Sequence, residues 1–144
     1  MAFTASELDY LATQRLGRLA TARPDGTLQV SPVGFQYNPD TTTIDIVGYR
    51  MATSRKFRNV ADNGRVAFVV DDIASVDPWR VRCLEIRGHA KALAADSSTN
   101  LSGPIIRIHP TRIISFGIEE PDQEPHLLTP NSRNVTEPPS PGDR

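Results

Sequence analysis

The sequence predicts a mainly β protein, a closed or half-open β-barrel that carries two small helices. Short apolar or alternating runs, separated by turns, recur between residues 18 and 116. Only two stretches show the 3.6-residue spacing of a helix. The chain has 144 residues, enough for one domain that buries roughly 70% of its unfolded surface. Many short strands with tight turns are typical of barrels.

The first element is a short amphipathic helix. Thr4 and Glu7 have the spacing of a capping box, in which each side chain accepts a hydrogen bond from the other residue's backbone. Phe3 and Leu8 flank the box as a hydrophobic staple. The pattern predicts that the helix ends before Gly17.

A β-hairpin follows the helix. Residues 18–22 and a second strand that starts at residue 28 and continues to 37 surround the turn 24–26. Pro32 has no N–H for a ladder, so its part of the strand is expected to be an edge, a bulge or a place open to a ligand. Residues 43–48 form the third strand.

The second half of the chain reads as further strands. Residues 65–70 are apolar on both faces, and 81–93 alternate as a long strand, with 71–78 as an Asp-rich loop between them. Two more apolar runs, 105–108 and 113–116, flank a His-Pro pair. The sequence therefore predicts six or seven strands.

A cation-rich helix start lies between the third and fourth strands. Thr53 or Ser54 can cap this helix, and Gly64 is a natural stop. Four cations fall within nine residues of a chain whose net charge is only −1: Arg50, Arg55, Lys56 and Arg58. A strand that ends at such a helix start is typical of an anion site, since free N–H groups and the helix dipole favour negative charge. A solvated cationic helix face explains the same pattern.

Composition excludes several classes of protein. Acidic and basic residues nearly balance, 17 against 16, which argues against nucleic-acid and membrane partners. The single cysteine, Cys83, fits a reducing cytoplasm. The histidines His89, His109 and His126 have no metal-ligand spacing. No catalytic triad, phosphate-binding loop or dinucleotide fingerprint is present. An anion site without catalytic groups of its own suits a cofactor that supplies the reactivity.

The composition changes at the C-terminus. Six of the twelve prolines lie in residues 119–144, among acidic and polar residues. Such a segment buries too little apolar surface to order itself. We therefore divide the chain into a barrel domain, residues 1–118, and a Pro-rich tail, residues 119–144, flexible or draped over a dimer.

Several short motifs together resemble one known family. The sequence is similar to the pyridoxamine-5'-phosphate-oxidase-like split β-barrels, an FMN-binding and flavin reductase-like fold with two or three short helices, and within them to the actinobacterial branch that uses the deazaflavin F420. The resemblance covers most of residues 6–118, and it depends on the order and spacing of these motifs: 18–21 with 25–26, 30–33, 54–60, 65–67, 71–72 with 78–80, 85–90 and 106–110.

The resemblance implies an F420-dependent oxidoreductase that transfers a hydride from the reduced deazaflavin to a small unsaturated molecule. It also implies a homodimer with two cofactor sites at the subunit interface. Ser54, Arg55 and Lys56, supported by Asn59, would hold the cofactor phosphate. The phosphate or the glutamate tail would lie against Tyr49 and Arg50. The ring system would be lined by Ser31, Pro32 and Val33. The partner subunit's site would lie near Trp79.

Two alternatives remain open from the sequence. An FMN-dependent oxidase or reductase would use the same phosphate pocket, although the chain lacks the basic C-terminal substrate motif of true pyridoxamine-phosphate oxidases. A carrier or sensor could instead bind a flavin, haem or tetrapyrrole without turnover.

Overall fold

Seven antiparallel strands and two α-helices form the part of the chain that this computed structural model describes, residues 2–94 and 103–136. The helices are α1 (Ala5–Thr13) and α2 (Arg55–Asn63). The strands are β1 (Leu16–Ala22), β2 (Leu28–Asn38), β3 (Thr43–Val47), β4 (Arg65–Ser75), β5 (Arg80–Leu93), β6 (Ile105–Phe116) and β7 (Asn131–Asn134).

The first six strands close into a barrel. They follow the order β3-β2-β1-β4-β5-β6, and β3 also pairs with β6, which closes the sheet on itself. Side chains that point inward fill the interior, among them Leu19, Ile46, Phe68, Ile86 and Ile108, each at most 1% exposed. The predicted split β-barrel is confirmed.

Helix α1 begins as its sequence predicts. The Glu7 carboxylate accepts from the Thr4 backbone N–H at 2.9 Å, and the Thr4 hydroxyl accepts from the Glu7 N–H at 3.1 Å. The Glu7 side chain is fully buried, which the capping pattern does not predict.

Strand β4 is longer than predicted, because residues 71–78 are not all loop. β4 continues to Ser75. The aspartates that suggested a loop are neutralised within the sheet: Asp71 pairs with Arg18, and Asp72 pairs with Arg82 and accepts from the Tyr10 hydroxyl at 2.9 Å. Cation partners on neighbouring strands therefore allow acidic residues in the strand.

The two apolar runs around His109 and Pro110 form the single strand β6. The pairing with β5 shifts by one residue here, so that Arg87 lies opposite Arg112 and Gly88 opposite Pro110. A bulge of this kind lets a proline, which cannot donate to the ladder, stay inside a strand.

Residues 119–144, which the sequence analysis assigned to a tail, contain a seventh strand. β7 pairs with residues 112–115 of β6. It lies along the same edge of β6 as β3, which pairs with residues 106–108. Arg133 in β7 bonds to Glu7 and to the Ala2 carbonyl. A backbone ladder and an ion pair thus order a segment with little apolar surface. Residues 137–144 of the predicted tail lie outside the described residues.

Strand β2 has a neighbour on both sides along only part of its length. β1 pairs with residues 28–34, whereas β3 pairs only with residues 34–38. Pro32 lies in the half with one neighbour, so its missing N–H removes no bond to a second strand.

No helix of the described residues is long and apolar enough to cross a membrane.

Candidate functional site

The start of α2 is built by a tight turn after β3. Arg50 adopts the left-handed backbone conformation (φ 53°), and a 3-10 turn, Met51–Thr53, leads to Ser54 as the N-cap. The Ser54 hydroxyl accepts from the Phe57 N–H at 3.3 Å and donates to the Met51 carbonyl at 2.7 Å. Ser54 is therefore the cap, as predicted for Thr53 or Ser54.

The cations around this helix start form no ion pairs in the part of the chain that the structure describes. Arg55 and Lys56 are partly exposed in the first turn, and Arg50 and Arg58 are exposed. None of the four forms an ion pair with a residue in 2–94 or 103–136, whereas arginines of the strands, such as Arg18 and Arg82, do. Donors that no carboxylate holds in an ion pair can bind an added anion.

Arg23 belongs to the same cluster, although the sequence analysis did not identify it. The charge of Arg23, more than that of Arg58, lowers the pKa of Arg55 below its ordinary value. Arg23 lies in the β1–β2 turn, 32 residues before Arg55, and only the packing of α2 across the barrel brings them together. We call Arg23, Arg55, Lys56 and Arg58 the cationic cluster.

Asn59 holds α2 against the barrel. Its side chain is fully buried, and Nδ2 donates to the Thr21 hydroxyl of β1 at 3.0 Å. One turn later, Asn63 donates to the Ala22 carbonyl at 2.7 Å. Both amides fix the helix over the end of β1. The structure therefore places Asn59 beneath the cationic cluster, between the helix and the sheet.

The three predicted residues of β2 lie on two faces. Ser31 and Val33 face inward opposite Leu19 and Gly17; Ser31 is half-buried, and Val33 is part of the core. The side chain of Pro32 is exposed on the outer face. Ser31 is thus the member of the trio that combines an inward position with partial exposure.

Tyr49 and Trp79 occupy very different places. Tyr49 is fully exposed in the turn before α2. Trp79 is in the turn between β4 and β5, at the end of this hairpin remote from α2. The 11 residues of β4 separate the two ends, roughly 33 Å along the strand at about 3.3 Å per residue step. Within one chain, Trp79 does not share a site with the cationic cluster.

The chemistry of the cluster suits a phosphate or another extended anion. Guanidinium and ammonium groups donate and never accept, and the first N–H groups of α2 have no partner within the helix. Asp25, the acidic residue that influences Arg55, accepts the Thr27 N–H at 2.9 Å. Among the described residues, no group of His, Cys, Asp and Glu side chains could hold a metal ion.

The chain is similar in sequence to a known reductase and similar in fold to several solved structures. Over 122 residues it is 47% identical to a 5a,11a-dehydrotetracycline/5a,11a-dehydrooxytetracycline reductase of Streptomyces rimosus, covering 83% of this chain and 86% of that protein. Its fold is similar to a conserved hypothetical protein, Rv2991, of Mycobacterium tuberculosis (TM-score 0.64, 20% identity, 78% of this chain and 84% of that one). It also resembles an FAD-binding protein of Mycobacterium smegmatis (TM-score 0.58, 22% identity, 78% and 93%).

A family model matches most of the chain. It describes the pyridoxamine 5'-phosphate oxidase family and matches residues 3–124, which include the barrel, α2 and the first residues after β6. Together with the close relative from Streptomyces, this match extends over most of the described chain. The chain belongs to the pyridoxamine 5'-phosphate oxidase family.

Proposed function

We propose that the protein is a reductase that uses reduced F420 to saturate a carbon–carbon double bond in a small organic substrate. The prediction of an oxidoreductase is confirmed by the 47% identical reductase. The observation that carries the cofactor proposal is the cationic cluster, none of whose charges forms an ion pair in the described chain. An added phosphate would neutralise it.

The cationic cluster and the edge of β2 would bind different parts of the cofactor. Lys56 and Arg55 hold the phosphate through charge-assisted hydrogen bonds, each worth on the order of 1.5–3 kcal/mol. Arg23 and Arg58 extend the positive surface towards further acidic groups of the cofactor. Ser31 lies on the inner face beside the open half of β2, where a ring system can approach. When bound, reduced F420 supplies a hydride, and a proton from solvent completes the reduction.

We propose that the Ser54 hydroxyl has a different role from the one its motif implies. It already donates to the Met51 carbonyl and accepts from Phe57. A phosphate oxygen only accepts, so a direct bond would require the hydroxyl to leave Met51. We assign Ser54 to shaping the helix start, and the contacts with the anion to its neighbours in the first turn.

The substrate proposal follows the chemistry of the relative. The name of that enzyme specifies a double bond between two ring carbons of a tetracyclic polyketide. We propose a substrate of this class for the present chain, an unsaturated polycyclic molecule whose double bond is electron-poor. Such a bond accepts a hydride without an activating metal.

We further propose that the protein acts as a homodimer. The outer face of the first hairpin exposes Leu16 (58%), Leu28 (78%) and Val30 (65%). Cross-strand pairing places these side chains on one face of the sheet, with Ala20 opposite Val30 and Ala22 opposite Leu28, while Arg18, paired with Asp71, lies between Leu16 and Val30. The apolar patch formed by Leu28 and Val30 at one end of the hairpin is a candidate interaction site. A second copy placed there would also cover the edge of β2 that lacks a neighbour.

The experiment that tests the cofactor proposal compares the two lysines of the chain, Lys56 and Lys91. Lys56→Ala should weaken F420 binding at least tenfold, about 1.4 kcal/mol, because a phosphate contact is lost. Lys91→Ala, an exposed position on β5, should leave affinity unchanged. Fluorescence titration with F420 and with FMN gives both constants.

Each outcome of that titration decides between the alternatives. Equal affinities in the two variants would remove the phosphate contact from Lys56. Tight binding of FMN together with no binding of F420 would favour the FMN-dependent oxidase or reductase instead. A protein purified with a bound haem and without response to either flavin would favour the carrier or sensor.

A further inference from the structure

An apolar groove of about 410 Å³ lies at the end of the barrel remote from α2. Its walls come from the β4–β5 turn, the end of β6 and the segment that leads to β7, and include Trp79, Val81, Phe116 and Leu128. This volume is within the range of roughly 300–1,000 Å³ in which proteins bind drug-sized molecules. The groove depends on the C-terminal segment, which crosses it before β7 joins β6.

One positive charge lies among these apolar walls. Arg80 lines the groove and donates to two backbone carbonyls, those of Trp79 (2.9 Å) and Asp122 (3.4 Å). It forms no ion pair with any residue in the described ranges. Among the described residues of the lining, the other polar side-chain groups are the Gln123 amide and the Trp79 indole N–H. None of these described lining residues carries a carboxylate, so the guanidinium charge is available to a ligand.

We propose that this groove binds the substrate, and that the substrate is a planar polycyclic anion such as an ionised enol. Flat rings pack against Trp79 and Phe116, while the negatively charged oxygen lies next to Arg80. A guanidinium near a developing enolate also favours hydride addition, because negative charge grows on that oxygen in the transition state. The inference deepens the proposed function and depends on it for the reaction.

The position of the groove then requires a second copy of the chain. The cationic cluster and Trp79 lie at opposite ends of the β4–β5 hairpin. A hydride moves only between atoms in near contact, so a cofactor that reduced a substrate in this groove would have to be held by the cationic cluster of a partner subunit. Each active site would thus combine the cationic cluster of one copy with the groove of the other.

Binding in the groove is tested without any cofactor. The probes are 1-anilinonaphthalene-8-sulfonate, an anion, and N-phenyl-1-naphthylamine, a neutral molecule with the same rings. Trp79 is the single tryptophan, so quenching of its emission reports binding nearby. We expect the anion to bind at least tenfold more tightly than the neutral dye, about 1.4 kcal/mol, and tetracycline to displace it.

Two substitutions at Arg80 separate charge from packing. Arg80→Met should abolish the preference for the anion, so that the two dyes bind about equally, while the affinity for the neutral dye changes little. Arg80→Lys should retain most of the preference. Loss of the preference in both variants, an unchanged preference in Arg80→Met, or failure of tetracycline to displace the dye would each overturn the proposal. Circular dichroism of each variant verifies the fold.

The result of the dye-binding experiment does not depend on whether the protein binds F420. Normal dye and tetracycline binding in a protein that does not bind F420 would overturn the proposed function but keep the groove. Normal F420 binding in a protein whose groove does not bind the probes would overturn the groove alone.

Discussion

Two groups of charges in this protein are arranged in opposite ways. Beneath α1, Glu7 is fully buried and accepts hydrogen bonds from Arg133 (3.1 Å) and Ser115 (2.6 Å). At the start of α2, Arg23 and Arg55 repel each other and no residue in 2–94 or 103–136 forms an ion pair with either. The first group is paired within the chain, whereas the second keeps a net positive charge, since Asp25 acts on Arg55 without forming an ion pair with it.

The difference separates stability from binding. A buried charge with all its partners fixes one arrangement of the chain, here the attachment of β7 to the N-terminal helix, and removing one partner is costly. An exposed cluster of like charges adds little to stability, yet it is already arranged for an anion. We therefore expect substitutions in the first group to change folding, and those in the second to change ligand affinity.

The largest expected effect is at Glu7. Glu7→Ala leaves the Arg133 guanidinium and the Ser115 hydroxyl without their acceptor, so we expect the free energy of unfolding to fall by about 3–5 kcal/mol. Urea denaturation measures the change. Lys91→Ala serves as an exposed control, and a loss below 1 kcal/mol at Glu7 would show that the ion pair does not anchor β7.

Asn59 should show an intermediate effect, since it belongs to α2 but is buried. Asn59→Ala removes the bond to Thr21 and leaves that hydroxyl buried, which costs about 1–3 kcal/mol. A double-mutant cycle with Thr21→Ala measures the coupling between the two side chains. No coupling, combined with weaker F420 binding, would mean that Asn59 contacts the cofactor rather than the sheet.

The pH dependence of stability should change sign in Arg133→Met. In the native protein, burial raises the pKa of Glu7, but hydrogen bonds from Arg133 and Ser115 outweigh it and hold the pKa below its ordinary value, about 4.3. Stability from Glu7 is therefore present above pH 4.3 and is lost as the pH falls through the native pKa.

Without Arg133, we expect burial, the largest single influence on the Glu7 pKa, to outweigh the hydrogen bonds that remain from Ser115 and Thr4 and to raise the pKa in the folded state. The contribution is then present below about pH 4.3 and is lost as the pH rises through the raised pKa. Chemical denaturation between pH 4 and pH 7 measures the slope, with Lys91→Ala as the control. The same slope in Arg133→Met and in the native protein would contradict this assignment.

The smallest expected effect on stability is at Arg23. Arg23→Gln removes a like charge from beside Arg55, so we expect the free energy of unfolding to stay within about 0.5 kcal/mol of the native value. Affinity for F420 should fall about threefold, or about 0.7 kcal/mol. Thermal melts and F420 titrations give the two values. A large loss of stability would place Arg23 among the structural charges.

Local patterns explain the elements that the sequence predicted. The capping box at Thr4, the hairpin turn around residues 24–26 and the Ser54 cap depend on neighbouring residues, so the sequence alone is sufficient to predict them. The place of Arg23 in the cationic cluster and the bulge next to Pro110 could not be predicted, because they depend on which strands become neighbours in the barrel.

Sequence by itself determined the fold class, the family motifs and the cation-rich helix start, since hydrophobic spacing, caps and charge runs are properties of adjacent residues. Only the tertiary structure decided that Arg133 pairs with Glu7, that Arg23 joins the cationic cluster and that Trp79 lies at the opposite end of the hairpin. The physical reason is that contacts between residues distant in the chain depend on strand order and register, which local composition does not encode.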